Sequence, residues 1–130
     1  MSQANHQIAR KFLDGISAGH VPEELLAPDM AWWTLSSNRA SDTARFQFGI
    51  KLFASIFSPP LAYTIHATTA EDDRVAAEAQ SDGTLVDGQV FHNRYVFTFR
   101  IRDGKIAAAA EYSNASPTRT RWGRLSRPQW

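Results

Sequence analysis

Glu111 is the residue of this sequence best suited to chemistry, because it follows a run of small side chains at residues 107–110, all of them alanine. Strand side chains alternate between two faces, so a strand here puts Ala107, Ala109, Glu111 and Ser113 on one face. Alanines leave space that larger side chains would fill, and Glu111 lies at the end of that space. Desolvation beside an apolar space raises the pKa of a carboxyl group, which favours acid or base catalysis near neutral pH.

A structural role for Glu111 is the alternative. A buried glutamate that hydrogen-bonds a tyrosine or pairs with an arginine would hold the surrounding strands together without reacting. The two roles differ in how removal of the charge changes stability. For a desolvated acid it removes an unfavourable buried charge, whereas for a paired glutamate it leaves a buried cation without its partner and destabilises the protein. The sequence leaves both open.

Two polar residues, Asn93 and Tyr95, interrupt an apolar strand face within residues 89–102. Both are able to hydrogen-bond a substrate carbonyl or oxyanion, and the alternative is that they are satisfied within the core. The apolar wall of the same substrate site is predicted from their neighbours, which are Phe97, Phe99 and, on the next strand, Ala109.

Three residues on other strands are further candidates for substrate contact. Trp32 and Thr34 lie on the first predicted strand, where the alternative for a tryptophan is core packing. Glu78 lies on a strand in which neither face is clearly apolar or clearly polar, so the sequence does not say to which face of the sheet its side chain points. Pairing of Glu78 with Arg94 or Arg100 across strands is the alternative to substrate contact.

Metal and cofactor sites have no sequence signature here. There is no cysteine, and the four histidines are scattered without metal-ligand spacing. Phosphate-binding loops, dinucleotide fingerprints and nucleophile elbows are also absent from the sequence. We therefore predict that the protein uses neither a metal nor a cofactor.

The spacing of apolar residues predicts the elements that position these side chains, and it changes from helical to strand spacing along the chain. Apolar spacing first predicts three helices, over residues 2–18, 21–26 and 43–57, with a strand at 30–35. Period-two strands follow at 62–70, 74–81, 89–102 and 105–114. Helices followed by hairpin-linked strands indicate an α+β fold, in which consecutive late strands pair antiparallel and the 30–35 strand adds at an edge.

Composition limits the partners. The 130 residues are of single-domain size, and 14 basic against 13 acidic residues give no field that attracts nucleic acid or a membrane. No apolar run is long enough to span a bilayer and no signal layout is present, so we predict a cytoplasmic protein. An Arg-rich arm at 116–130 follows the domain at 1–115, with Trp122 and Trp130 as its predicted anchors.

An ordered set of segments resembles the SnoaL-like branch of the nuclear transport factor 2 and ketosteroid isomerase superfamily. The resemblance covers nearly the whole chain up to about Ser116. The segments are 26–29 (Leu-Ala-Pro-Asp), Trp32-Trp33, 69–79, 93–97, 102–106 and Glu111-Tyr112.

This resemblance implies helices packed as a cone on a strongly curved antiparallel sheet, the cystatin-like architecture, around one hydrophobic pocket. It also implies an acid projecting into the pocket at Glu111. A homodimer through the sheet face that bears Arg94, Thr98 and Arg100 is expected as well, with the arm contributing to the interface or packing beside it. Members include isomerases, dehydratases, cyclases, epoxide hydrolases and binding domains, so the fold does not fix the activity.

Two departures from the family patterns stand out. Thr34 occupies the position where ketosteroid isomerases place a catalytic aspartate, which argues against steroid isomerase activity. Glu78-Ala79-Gln80 replaces the Arg-x-Asp pair of epoxide hydrolases. The sequence leaves two interpretations: a cofactor-free isomerase, dehydratase, cyclase or hydrolase of an apolar oxygenated metabolite, or a non-catalytic ligand-binding or dimerisation module.

Overall fold

The computed structural model describes residues 2–113, which form two helices packed against one curved, mixed sheet of six strands. The predicted α+β architecture is confirmed. The arm at 116–130 lies outside the described residues. In chain order the elements are α1 (Ser2–Ala18), a 3-10 turn (Glu23–Leu25), β1 (Leu26–Thr34), β2 (Arg39–Ser41), α2 (Thr43–Ala54), β3 (Ala62–Glu71), β4 (Arg74–Thr84), β5 (Val90–Arg102) and β6 (Lys105–Ser113).

The sheet order is β2-β1-β6-β5-β4-β3. The four late strands pair antiparallel in succession, as their hairpin turns predict. β1 does not lie at the edge as expected. It pairs in parallel with β6, and the short strand β2, which forms in a stretch expected to be a polar loop, covers its other side.

The region after α1 differs from the helix predicted at 21–26. Pro22 and Leu26 are both extended, so only a 3-10 turn fits between them. Pro28 lies within β1 instead of ending a helix, in the part where the pairing with β6 is irregular. An irregular pairing tolerates a residue that has no amide hydrogen to donate.

Helix α2 begins at a capped end and stops earlier than its apolar spacing predicts. The Asp42 carboxylate accepts a hydrogen bond of 2.9 Å from the backbone N–H of Arg45, as expected at an N-cap. The helix ends at Ala54, although Phe57, included in the predicted helix, still packs in the core, 5.1 Å between ring centroids from Phe91.

Besides the irregular β1–β6 pairing, two further register shifts occur in the described sheet. One changes the β5–β6 register beside Ala107, so that Ile106 and Ala109 face inward and the strict alternation expected from Ala107 onward begins only at Ala109. The other interrupts the β3–β4 register between Ile65 and Ala67. In the part of the chain described here, neither helix has the length and hydrophobicity needed to cross a membrane.

Phe12 on α1 is the centre of the core. Its side chain is fully buried, and its ring centroid lies 5.1 to 6.3 Å from those of four other aromatic rings. These rings come from β1, α2 and β5, so Phe12 joins the helical layer to the sheet. They belong to Trp32, Phe46, Phe97 and Phe99.

We expect Phe12→Ala to lower the free energy of unfolding by about 3–5 kcal/mol, because the cavity left among four rings cannot collapse. Urea denaturation followed by circular dichroism measures the change. Phe48→Ala is the matched control, since Phe48 is 64% exposed, and should change stability by no more than about 0.5 kcal/mol. Equal effects of the two substitutions would contradict the central role of Phe12.

Candidate functional site

Strand register places Glu111 on the face of the sheet that packs against the helices. Glu111 pairs with Phe97 on one side and with Thr34 on the other. Phe97 is fully buried beneath the helices and is 6.3 Å from Phe12 between ring centroids. Directly paired residues point to the same side of a sheet, so Glu111 and Thr34 also point toward the helices.

Burial, not a charged neighbour, dominates the ionisation of Glu111. Desolvation raises the pKa of this carboxyl group, and a hydrogen bond from Ser113 opposes the rise more weakly. The Ser113 hydroxyl donates to Oε2 at 3.0 Å. Within residues 2–113 no ion pair involves Glu111, and no tyrosine hydroxyl hydrogen-bonds it. Among the described residues, Glu111 is therefore a buried acid with one serine hydroxyl as its hydrogen-bond partner and no cation beside it.

Tyr95 lies diagonally across from Glu111 and belongs to a buried group of hydroxyls. Its phenol oxygen is 2.7 Å from the Ser81 hydroxyl, and its ring is 5.7 Å from that of Tyr63. Burial raises the pKa of Tyr95, and the charge of Glu111 adds to the rise, whereas the bond to Ser81 opposes it. Burial likewise holds the pKa of Tyr63 well above its usual value. Both phenols are therefore neutral donors near neutral pH.

Asn93 is buried on the same face, two residues before Tyr95. Its side-chain carbonyl accepts a hydrogen bond of 2.9 Å from the backbone N–H of Arg94. The structure thus brings together the three predicted catalytic side chains along one polar strip. The strip consists of Glu111, Ser113, Tyr95, Ser81, Asn93 and Tyr63.

The space expected above Ala109 is filled by aromatic rings. Ala109 pairs with Trp32 on one side and with Phe99 on the other. The Phe12 ring lies 5.8 Å from Trp32 and 5.1 Å from Phe99, so it covers the alanine between them. Phe97, Phe99 and Ala109 are core residues that bound the strip, and Trp32 is half-buried between the core and solvent.

Glu78 does not lie in this site. Its neighbours Ala77 and Ala79 are buried, whereas Glu78 is exposed on the outer face of the sheet, paired with Val96. The predicted ion pairs of Glu78 with Arg94 or Arg100 do not form among the described residues. The sequence left the direction of Glu78 open because the alanines on both sides of it gave no periodicity.

An open cleft borders the strip on the side of β1. Its volume is about 450 Å³, and Thr34 and Trp32 of β1 line it. The rest of its lining comes from β2, from the turn before β2 and from residues 45–50 of α2. Sequence reasoning missed this side because the β2 stretch is short and polar. The remaining lining residues are Ser37, Arg39, Ala40, Ser41, Arg45, Phe46, Gly49 and Ile50.

A family model of the SnoaL-like domain matches residues 9–109, which is most of the described fold. The chain belongs to the SnoaL-like family. The match ends before Glu111, so membership of the family does not assign a role to this residue. No curated protein sequence matches the chain.

Solved structures similar to this SnoaL-like chain agree on the fold. AclR from Streptomyces galilaeus, assigned as a hydroxylase, is 18% identical with a TM-score of 0.81, over 99% of this chain and 87% of that one. IdmH from Streptomyces antibioticus, assigned as a polyketide cyclase, is 19% identical with a TM-score of 0.74, over 92% and 98%. A nuclear transport factor 2-like protein from Anabaena variabilis is 19% identical with a TM-score of 0.76, over 88% and 90%. At these identities the likeness is one of fold.

We expect Glu111→Gln to leave the free energy of unfolding at neutral pH unchanged or higher. The pKa of Glu111 is higher in the folded protein than in the unfolded chain. The stability that its protonated form contributes is therefore fully present below the unfolded pKa and is lost as pH rises through the folded pKa. Glutamine has the same shape and does not ionise, so the variant does not lose this stability at high pH. Urea titrations of both proteins at pH 4.5 and 8 measure the difference, which should favour the variant more at pH 8. Marked destabilisation of the variant at pH 8 would instead indicate a paired, structural glutamate.

Proposed function

We propose that this SnoaL-like protein binds an apolar, carbonyl-bearing small molecule and catalyses proton transfer on it without a cofactor. The observation that supports the proposal is the desolvated carboxyl group of Glu111, which has no cation beside it within residues 2–113. A base of this kind needs a pKa above the usual value to be effective near neutral pH. Isomerisation, dehydration and cyclisation that pass through an enolate all begin with such a transfer.

The proposed step uses residues of the polar strip. The Glu111 carboxylate takes a proton from the carbon next to the substrate carbonyl, and the electron pair of that bond moves to form an enolate. Tyr95 donates its phenol proton in a hydrogen bond to the enolate oxygen while it accepts one from Ser81. The Asn93 amide N–H is a second donor on the same face. Return of a proton from the Glu111 carboxyl group to carbon completes the transfer, and in deuterated water the carboxyl group first trades its proton for a deuteron of the solvent, so the carbon gains deuterium.

A simple ketone tests this step without knowledge of the natural substrate. 2-Tetralone in deuterated buffer exchanges the protons next to its carbonyl, and proton nuclear magnetic resonance measures the rate. We expect the protein to accelerate exchange and Glu111→Gln to reduce the accelerated rate by at least about 100-fold. Glu78→Gln removes a carboxylate from the outer face and serves as the control with an unchanged rate. Equal exchange by wild type and Glu111→Gln would overturn the assignment.

The pH dependence of this exchange follows from the shifted ionisation. Because the base form of Glu111 is required and its pKa is raised above 4.5, the rate should increase with pH through an inflection above that value. Rates between pH 4 and 8, corrected for the buffer reaction, measure the inflection. A rate independent of pH over this range would exclude Glu111 as the base.

A non-catalytic binding module is the second candidate. Thr34 stands where steroid isomerases of this superfamily place an acid, and the Asn93 carbonyl and the Tyr95 hydroxyl already have protein partners. These features suit a pocket whose polar groups are structural. Saturable binding of 2-tetralone without accelerated exchange would favour this function over the enzyme.

We further propose that two copies associate through the outer face of the sheet. Val96 is 39% exposed there, beside the ring pair of Trp33 and Tyr112 at 5.3 Å. The same face has acidic residues such as Glu78 and basic residues such as Arg94, so a two-fold arrangement can pair opposite charges. A shallow groove of about 590 Å³ lined largely by alanines and threonines leaves room for the partner's side chains.

Light scattering at micromolar concentration tests the association, with an expected mass twice that of one chain. Val96→Glu should give a monomer, because it places a charge in the apolar part of the interface. Val86→Glu is the control, since Val86 is exposed at 66% in the β4–β5 turn, away from this face, and should leave the dimer intact. A monomeric wild type would refute the interface.

A further inference from the structure

Two arginines of the open cleft belong to different elements but line the same space. Arg39 comes from β2 and Arg45 from the first turns of α2, and both are exposed. Three hydroxyl-bearing residues line the cleft with them. They are Thr34, Ser37 and Ser41.

No acidic residue of the described range 2–113 lines this cleft. Within the described part of the chain, neither Arg39 nor Arg45 forms an ion pair, whereas the guanidinium groups of Arg10, Arg100 and Arg102 do. The nearest acid in sequence, Asp42, faces the start of α2 and accepts a backbone hydrogen bond there. The cleft therefore has positive charge without an internal counter-ion among these residues.

Sheet register fixes the position of this charge relative to Glu111. Arg39 pairs with Thr34, and Thr34 pairs with Glu111. Adjacent strands are about 4.8 Å apart, so the Cα atoms of Arg39 and Glu111 are separated by about 10 Å. That distance fits a small molecule that reaches from one side chain to the other across Thr34.

The opposite wall of the cleft is apolar. Trp32 and Phe46 lie 4.9 Å apart between ring centroids, and Ile50 continues this wall along α2. Gly49 borders the same wall, and a Cβ atom added there would meet no atom within 4 Å. A ligand that matches both halves has a flat apolar body and a negative group at one end.

We propose that this cleft is the anion-binding end of the substrate site, and that the natural ligand is an apolar carboxylic acid whose carboxylate contacts Arg39 and Arg45. A planar guanidinium group binds a carboxylate with two parallel hydrogen bonds, which suits this role. The inference rests on the proposed function in one respect, namely that Glu111 acts on the part of the ligand that lies beyond Thr34.

Isothermal titration with 2-naphthoate and 2-naphthamide tests the inference, because the two probes differ in charge but hardly in shape. We expect naphthoate to bind at least about tenfold more tightly than the amide. Arg39→Gln and Arg45→Gln should each remove most of this preference, and added salt should reduce it in the wild type. Lys51→Gln removes a positive charge from α2 outside the cleft and should leave naphthoate affinity unchanged.

Gly49→Leu tests the location independently of charge. Leucine favours a helix more than glycine does, and the open space at Gly49 accepts it, so the variant should fold at least as stably as the wild type. It should also fill the cleft and weaken both probes. Binding that survives Gly49→Leu would place the probes elsewhere and overturn the inference.

Failure of this inference differs from failure of the proposed function. Equal affinity for the two probes, no binding of naphthoate, or arginine variants that keep the preference would each overturn the anion site while ketone exchange by Glu111 still stands. Conversely, a charge preference that depends on both arginines, in a protein that does not accelerate exchange of 2-tetralone, would support the anion site and reject the catalytic step.

Discussion

The parallel pairing of β1 with β6 joins two distant parts of the chain, and both the core and the candidate site depend on it. It puts Trp32 beside Ala109, where the rings of α1 and α2 close over the alanine. Two residues further along both strands, it puts Thr34 beside Glu111. The same strand therefore contributes to a packed apolar layer through Trp32 and to the border between the polar strip and the open cleft through Thr34.

The polar strip has an energetic cost that the surrounding core offsets. Burying a hydroxyl or a carboxyl group without a partner is unfavourable, and the strip limits this cost by pairing its members, as Ser81 does with Tyr95 and Ser113 with Glu111. Glu111 is the member whose charged form is least well satisfied. Aromatic packing around Phe12 supplies the stability that permits one poorly solvated acid.

Periodicity predicted the parts of the fold in which one face is clearly apolar. On β5 the alternation from Phe91 to Phe99 is strict, so the inward direction of Asn93 and Tyr95 followed from the sequence. The cleft did not follow, because β2 is three residues long and is recognisable only through its pairing with β1. Glu78 was ambiguous between flanking alanines, and the Ala107 bulge shifts an alternation that looks regular in sequence.

The irregular pairing between Ile65 and Ala67 has a consequence for behaviour at high concentration. β3 is an edge of the described sheet and runs for ten residues, long enough to act as a template for a strand of another molecule. The bulge bends this edge, and exposed polar side chains such as Thr64 and His66 line it, so a regular ladder with a second molecule cannot extend along its full length. Removing the bulge by deletion would straighten the edge and favour aggregation.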